Sequence, residues 1–256
     1  MDRFTTSDGI AIAHHHFESA APLDGLPPVV LQHGFAADTV ANWVTPGVVA
    51  ALTGAGREVI SVDARGHGAS DKPHDADCYG EGRMSLDLVE LFDHLGLTEL
   101  DLVGYSMGAI IAAITATADR RVRRMVIGGI GAGVAEMGGV DRRHIDNTEL
   151  AAALRADDPA TITNPAVKAF RRFADSTGAD RFALAAQADR VHRSAIALGD
   201  ITAATLLLVG DADPLAARPH VLADAIPAAT LQVIPGDHLG AVGRPEFAPA
   251  IVAFLA

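Results

Sequence analysis

The chain has 256 residues, a length at which one hydrophobic core can still be built, so we expect a single domain over residues 1–256. Its formal net charge of −12 argues against nucleic acid as a partner, because such binding depends on clustered cations. The single cysteine, Cys78, excludes an internal disulfide and a cysteine-rich zinc site.

The amino-terminal residues contain no continuous apolar stretch of the kind found in a secretory signal peptide. The longest weakly polar stretch, MGAIIAAITATA at 107–118, is far shorter than the roughly 20 residues that cross a bilayer. We therefore expect a soluble, cytoplasmic protein with no membrane partner.

The first elements in chain order are predicted to form an antiparallel hairpin. Residues 4–17, FTTSDGIAIAHHHF, alternate in polarity around a turn at Asp8-Gly9. His14 and His16 share one face of the second strand, but no third metal ligand is evident nearby. The sequence therefore favours a surface strand here and no metal.

Short β-branched runs then alternate with longer helical segments, which is typical of a mostly parallel sheet covered by helices. The predicted strands, all expected to be buried, lie within 27–34, 57–66, 99–106, 123–131, 204–213 and 229–238. Helical spacing is present in 41–56, 83–96, 215–227 and 244–256. In the second of these segments, the predicted buried face is formed by Leu86, Val89, Leu91 and Leu95.

Residues from about 132 to 199 interrupt this alternation, because they contain helical patterns and no strand-like run. A segment inserted between two strands emerges at the sheet edge and can fold over the strand ends as a cap. We predict a helical cap insertion at about 132–199, with an elaborated connection as the alternative.

A candidate nucleophile lies in the segment Gly104-Tyr105-Ser106-Met107-Gly108. The apolar run LDLV precedes this segment and AIIAAI follows it, as a strand and a helix would. A serine hydroxyl that stands clear of a sheet needs a tight strand-to-helix turn, in which neighbouring side chains would collide. The two glycines remove those side chains, and we predict a strained backbone at Ser106.

A serine nucleophile also needs a base to take its proton and an acid to orient that base. The run TLLLVG is followed by Asp211-Ala212-Asp213, and the run LQVIPG is followed by Asp237-His238. All of these positions follow predicted strands, and parallel sheets place their sites at the carboxyl ends of strands. The residues alone leave both Asp211 and Asp213 as candidates for the acid.

Taken together, these motifs resemble those of the α/β-hydrolase superfamily over nearly the whole chain, of the type with a helical cap between the sixth and seventh strands. The matching segments are LQHGF at 31–35, DARGHGAS at 63–70, GYSMGA at 104–109, VGDADPL at 209–215 and GDHL at 236–239. The resemblance implies an α/β fold with a mostly parallel eight-stranded sheet flanked by helices. It also implies an enzyme that uses no cofactor and no metal.

The resemblance implies the roles of the candidate triad. Ser106 corresponds to the nucleophile and His238 to the general base and acid. In the family the acid stands three positions after the glycine that ends the strand, here Gly210, which selects Asp213 as the orienting carboxylate. The order serine, acid, histidine along the chain is that of the family.

The resemblance also implies an oxyanion hole formed by the backbone N–H groups of Phe35 and Met107. Four further polar residues of these motifs are implied to fix loops rather than to catalyse: His33, Asp63, Arg65 and His67.

We therefore predict a carboxylesterase-like serine hydrolase that cleaves a small-molecule ester through an acyl-enzyme. Alternatives within the fold are a lactonase or thioesterase, a cofactor-free perhydrolase or haloperoxidase, and a carbon–carbon bond hydrolase. A non-catalytic ligand-binding protein is the alternative of a different class. Haloalkane dehalogenases and epoxide hydrolases of this fold carry aspartate at the position of Ser106, which argues against both activities.

Overall fold

One mixed sheet of eight strands organises residues 1–256, all of which the computed structural model describes. The strands are β1 (Asp2–Thr5), β2 (Ala11–Phe17), β3 (Val29–Gln32), β4 (Val59–Asp63), β5 (Leu100–Tyr105), β6 (Val122–Gly128), β7 (Ala204–Gly210) and β8 (Ala229–Ile234). Their order in the sheet is β1-β2-β4-β3-β5-β6-β7-β8. The predicted hairpin forms β1 and β2, which lie antiparallel at one edge, and the other six strands run parallel.

The burial predicted for the last strand is wrong. In β8, Leu231 and Val233 are 38% and 53% exposed. Thr230 and Gln232 of the same strand are also exposed. The strand pairs only with β7 because it is the last in the sheet. An apolar run that resembles a central strand therefore forms an edge.

Nine α-helices connect or follow these strands, and no helix has the length and apolar character to span a membrane. They are α1 (Val48–Gly54), α2 (Glu81–His94), α3 (Met107–Ala118), α4 (Ala132–Met137), α5 (Asn147–Arg155), α6 (Pro165–Thr177), α7 (Arg181–Asp189), α8 (Pro219–Ala225) and α9 (Phe247–Leu255).

Helices cover both faces of the parallel strands. In β3, Val30 packs into the cluster that includes α2, α3 and α8, whereas Val29 and Leu31 pack into the cluster that includes α1 and α9. Successive strand residues point to opposite faces, so a strand covered on both faces is apolar at every position. This double cover explains the uninterrupted apolar runs of the central strands.

The buried face of α2 differs from the prediction. Met84, Leu88 and Leu91 are buried, whereas Leu86 is 48% exposed. Residues three or four positions apart share a helix face, so the stripe through Met84 and Leu88 leaves Leu86 on the other side. Placing Leu86 in the core was therefore wrong.

Helices α4 to α7 all lie between β6 and β7 in the chain, and we call residues 132–189 the helical segment. Three of its helices share an apolar cluster that contains Leu154 of α5, Val167 of α6 and Leu184 of α7. Ala36, in the loop after β3, belongs to the same cluster. The helical segment therefore packs against the loops at the carboxyl end of the sheet.

Candidate active site

Ser106 lies in the turn between β5 and α3, with φ 54° and ψ −117°. A positive φ is strained for any residue with a side chain, which confirms the prediction made from the flanking glycines. A Cβ at Gly104 would lie 2.3 Å from the carbonyl oxygen of Gly108. A Cβ at Gly108 would lie 2.1 Å from the carbonyl oxygen of Gln32. Only glycine allows α3 to begin this close to β3.

The side chains of Ser106, His238 and Asp213 form one continuous hydrogen-bonded chain. Ser106 Oγ lies 2.9 Å from His238 Nε2, and His238 Nδ1 lies 2.9 Å from Asp213 Oδ2. The ionised carboxylate can only accept, so the imidazole proton lies on Nδ1 and Nε2 is free to accept the serine proton. His238 and Asp213 are 7% and 6% exposed, while Ser106 is half-buried.

The surroundings of the two candidate acids separate them. Asp213 also accepts the N–H groups of Leu215 and Ala216 through Oδ1, which fixes its carboxylate towards His238. Asp211 is exposed and accepts the N–H of Gly236. The structure therefore brings Asp213, and not Asp211, into contact with the imidazole.

The backbone N–H groups of Phe35 and Met107 donate no hydrogen bond within the protein. Met107 is the first residue of α3, so its N–H is one of those that a helix start leaves without a partner. The helix dipole favours negative charge at the same place. Both residues line the cavity that Ser106 also lines, so two residues with unpaired backbone N–H groups border the same cavity as the serine.

The backbone N–H groups on either side of Phe35 are both hydrogen-bonded. Gly34 N–H donates to Asn42 Oδ1 at 2.9 Å, and Ala36 N–H donates to His67 Nε2 at 3.2 Å. Burial lowers the pKa of His67 to about 3, so its imidazole is neutral and can accept at Nε2. These two bonds hold the turn so that the Phe35 N–H stays free.

The other polar motif residues hold loops together, in line with the structural role that the resemblance implies for them. His33 donates from Nδ1 to the Gly34 carbonyl and accepts the Ala64 N–H at Nε2. Asp63 accepts the N–H groups of Thr39 and Ala69. Arg65 is buried and makes a bidentate pair with Asp87.

Two residues that sequence reasoning missed also lie against His238. Tyr105 donates its buried hydroxyl to the backbone carbonyl of His238 at 2.7 Å, which helps to fix the histidine loop. The centroid of the Phe170 ring, on α6, lies 6.0 Å from that of the His238 ring and 6.4 Å from that of the Phe35 ring. Tyr105 could have been suspected from its place directly before Ser106. Phe170 could not have been suspected, because nothing in the sequence distinguishes it from the other apolar residues of its helix.

Two cavities meet at Ser106. The one that we call the larger cavity encloses about 630 Å³, a figure that includes space open to solvent, and is lined by Phe35, Met107 and residues of the helical segment. The smaller has a volume of about 480 Å³ and is lined by His238, Tyr105 and further residues of the loops around the sheet. Phe35, Ser106 and Phe170 line both cavities. A bound molecule can therefore extend from the serine in two directions.

A second group of titratable side chains lies on the antiparallel hairpin. One possible ligand atom each from Asp2, His14 and His16 lies within 4.8 Å of the other two. A third ligand was not evident from the sequence because Asp2 is on the neighbouring strand, opposite His14. His14 is also only 2% exposed, so the prediction of a surface position was wrong for it, and burial lowers its pKa to about 4. None of the three lines either cavity at Ser106.

Comparison with known proteins supports the fold seen in the structure. The family model of the α/β-hydrolase fold matches residues 27–147. A haloalkane dehalogenase from Mycolicibacterium paratuberculosis is 34% identical over 44% of this chain and 36% of its own length. An sn-1-specific diacylglycerol lipase from Mus musculus is 43% identical over 37% of this chain and 30% of its own length. The matches therefore span only about a third of these relatives.

A solved structure covers the whole chain. A hydrolase from Pseudomonas aeruginosa PA01 superposes with a TM-score of 0.79 at 27% identity, over 100% of this chain and 98% of that one. The helical segment lies within this match, because the match extends over the full chain.

Proposed function

We propose that this chain, which belongs to the α/β-hydrolase superfamily, hydrolyses carboxylic esters of small molecules. The observation that carries the proposal is the unbroken contact from Ser106 Oγ through His238 to the Asp213 carboxylate. A serine in this arrangement can lose its proton to the imidazole as it attacks a carbonyl carbon.

In the first half of the proposed reaction, Ser106 Oγ bonds to the ester carbonyl carbon while His238 Nε2 takes the hydroxyl proton. The carbonyl oxygen becomes an oxyanion, which the N–H groups of Phe35 and Met107 stabilise. Loss of one such donor costs about 3–4 kcal/mol of transition-state stabilisation in a well-studied protease. The C–O bond then breaks, and the alcohol leaves with the proton held by His238.

In the second half, water attacks the acyl-enzyme and His238 accepts a proton from that water. The same oxyanion donors stabilise the second tetrahedral intermediate. Collapse of this intermediate returns the proton to Ser106 Oγ and releases the carboxylic acid. The cycle consumes one water and needs no cofactor.

The chemistry of Ser106 favours ester hydrolysis over the dehalogenase activity named for one relative. Displacement of a halide by a serine hydroxyl would give an alkyl ether, which water does not cleave under mild conditions. An acylated serine, in contrast, has a carbonyl carbon that water can attack. The similarity to a diacylglycerol lipase supports the same assignment.

The first test is labelling with a fluorophosphonate probe, with Ser106→Ala as the variant and Ser176→Ala as the matched control. Ser176 is an exposed serine of α6, so its loss should leave labelling and p-nitrophenyl butyrate turnover intact. Ser106→Ala should lose both. A folded wild-type chain that neither takes the label nor cleaves short p-nitrophenyl esters would contradict the proposal and favour a ligand-binding role.

A further inference from the structure

The two cavities at Ser106 differ in one residue that matters for the reaction. His238 lines the smaller cavity and does not line the larger one. Under the proposed function, on which this inference rests, His238 must give its proton to the leaving alcohol. The alcohol oxygen therefore lies on the side of the smaller cavity, which leaves the larger cavity for the acyl group.

Two polar side chains with unpaired atoms are among the residues that line this mostly apolar larger cavity. Gln187 is 2% exposed and its Oε1 has no hydrogen-bond partner. Asn147 is 5% exposed and its Nδ2 has no partner. Both residues line the larger cavity. Buried polar groups in folded proteins are nearly always paired, so two unpaired groups at one cavity point to a ligand that pairs them.

The amide of Gln187 is held next to the reaction centre. Its nitrogen contacts the sulfur atoms of Met84 and Met107, and Met107 follows the nucleophile in the chain. Thioether sulfur is a weak acceptor, so these contacts fix the position of the amide without satisfying it. Within the protein, the Oε1 atom of this amide is left without a partner.

The larger cavity offers no cation to an acidic ligand group. Its lining contains no lysine, arginine or histidine, but it contains Glu81 and Asp141. Asp141 is already paired with Arg143, whereas Glu81 is 3% exposed and accepts only backbone N–H groups. A carboxylate on the acyl chain would find no cation in the lining to offset the cost of burying its charge. An ammonium group only donates and would leave the Asn147 Nδ2 donor unpaired, so an uncharged group that both donates and accepts suits the two amides best.

We propose that the acyl group of the substrate occupies the larger cavity and carries a hydroxyl that Gln187 and Asn147 recognise. A hydroxyl both donates and accepts, so it matches one unpaired acceptor and one unpaired donor. The substrates are thus esters of hydroxycarboxylic acids rather than esters of simple fatty acids.

The test uses methyl esters in matched pairs, because methanol is a small leaving group and a methyl branch has nearly the shape of a hydroxyl. Methyl hexanoates with a hydroxyl on carbon 3, 4, 5 or 6 are compared with their methyl-for-hydroxyl counterparts by pH-stat. Without a polar partner in the cavity, every hydroxy ester should be the poorer substrate. We expect kcat/KM to favour the hydroxy ester about tenfold at one position at least.

Gln187→Leu and Asn147→Leu should each lower this hydroxy-to-methyl ratio about tenfold, chiefly by slowing the hydroxy ester. Leu150→Val is the matched control, because Leu150 lines the same cavity and its change alters volume without altering polarity. That control can change both rates but should leave their ratio unchanged. Fluorophosphonate labelling of Ser106 shows that each variant is folded.

Two results would overturn the inference while the proposed function stands. The first is a wild-type chain that cleaves the methyl esters and takes the phosphonate label, yet favours the methyl-branched ester at every position. The second is a ratio that stays the same in both leucine variants. A wild-type chain with neither turnover nor label would contradict the proposed function itself, and this inference with it.

Discussion

At the residue scale, the proposed chemistry depends on which ring nitrogen of His238 carries a proton. Asp213 accepts a hydrogen bond from His238 Nδ1 and is itself held by the N–H groups of Leu215 and Ala216. An amide in place of this carboxylate could donate to Nδ1 and so favour the tautomer with its proton on Nε2. That tautomer cannot accept the proton of Ser106.

Asp213→Asn should therefore lower kcat by about 10³- to 10⁴-fold with little change in the thermal unfolding midpoint. Asp211→Asn is the matched control, because Asp211 stands two positions away and is exposed. It should keep kcat within about threefold. Steady-state kinetics with p-nitrophenyl butyrate measures both variants, and an Asp213→Asn chain with near-normal kcat would exclude Asp213 as the orienting acid.

At the scale of elements, the turn between β5 and α3 holds Ser106 in place only because α3 begins against β3. Gly108→Ala would put a Cβ 2.1 Å from the Gln32 carbonyl oxygen, so one of the two elements must move. Overpacking of this kind costs about 1–3 kcal/mol. We expect a loss of stability in this range, measured by urea unfolding, together with a lower kcat.

Gly54→Ala supplies the comparison for that prediction. Gly54 is the exposed last residue of α1, and an added Cβ there would meet nothing within 4 Å. Alanine is favoured over glycine in a helix by about 0.5–1 kcal/mol, so this variant should be neutral or slightly more stable. Equal losses in the two variants would show that the contact with β3 is not the cause.

The elements also show which parts of the candidate site could be predicted from the sequence. The elbow and the histidine were predictable because each follows a strand and the carboxyl ends of parallel strands share one edge. The same rule left Asp211 and Asp213 both open as the acid, and the family resemblance selected Asp213. Phe170, Gln187 and Asn147 were not, because their positions depend on how the helical segment packs against the loops of the sheet. The spacing of these residues in their helices does not predict which part of the sheet or its loops each side chain faces. The exposure of β8 escaped for a related reason, since an apolar run does not reveal whether a strand is central or at the edge.

At the scale of the whole molecule, buried neutral histidines connect stability to pH. Burial lowers the pKa of His67 to about 3 and that of His14 to about 4, and it lowers the pKa of His33 as well. In the unfolded chain the same imidazoles titrate near 6.5. Below that pH the unfolded state binds more protons than the folded state, so the free energy of unfolding must fall with the pH.

The free energy of unfolding should thus be highest above pH 6.5 and decline as the pH falls from about 6.5 towards 4. Each of the three histidines contributes at most about 1.4 kcal/mol per pH unit in this window. Glu81 and Asp87 oppose part of the decline, because burial raises the pKa of both carboxyl groups and their protonation then favours the folded state. Urea unfolding at pH 7, 6, 5.5 and 5 measures the net slope.

His14→Gln isolates one of these contributions, because glutamine does not titrate. The variant should be less sensitive to acid than the wild type by up to one proton, a difference of at most about 1.4 kcal/mol per pH unit between pH 6 and 5. His220→Gln replaces an exposed histidine and should leave the wild-type slope unchanged. If both variants keep the wild-type slope, His14 titrates alike in the folded and unfolded chains, and the acid sensitivity must come from other groups.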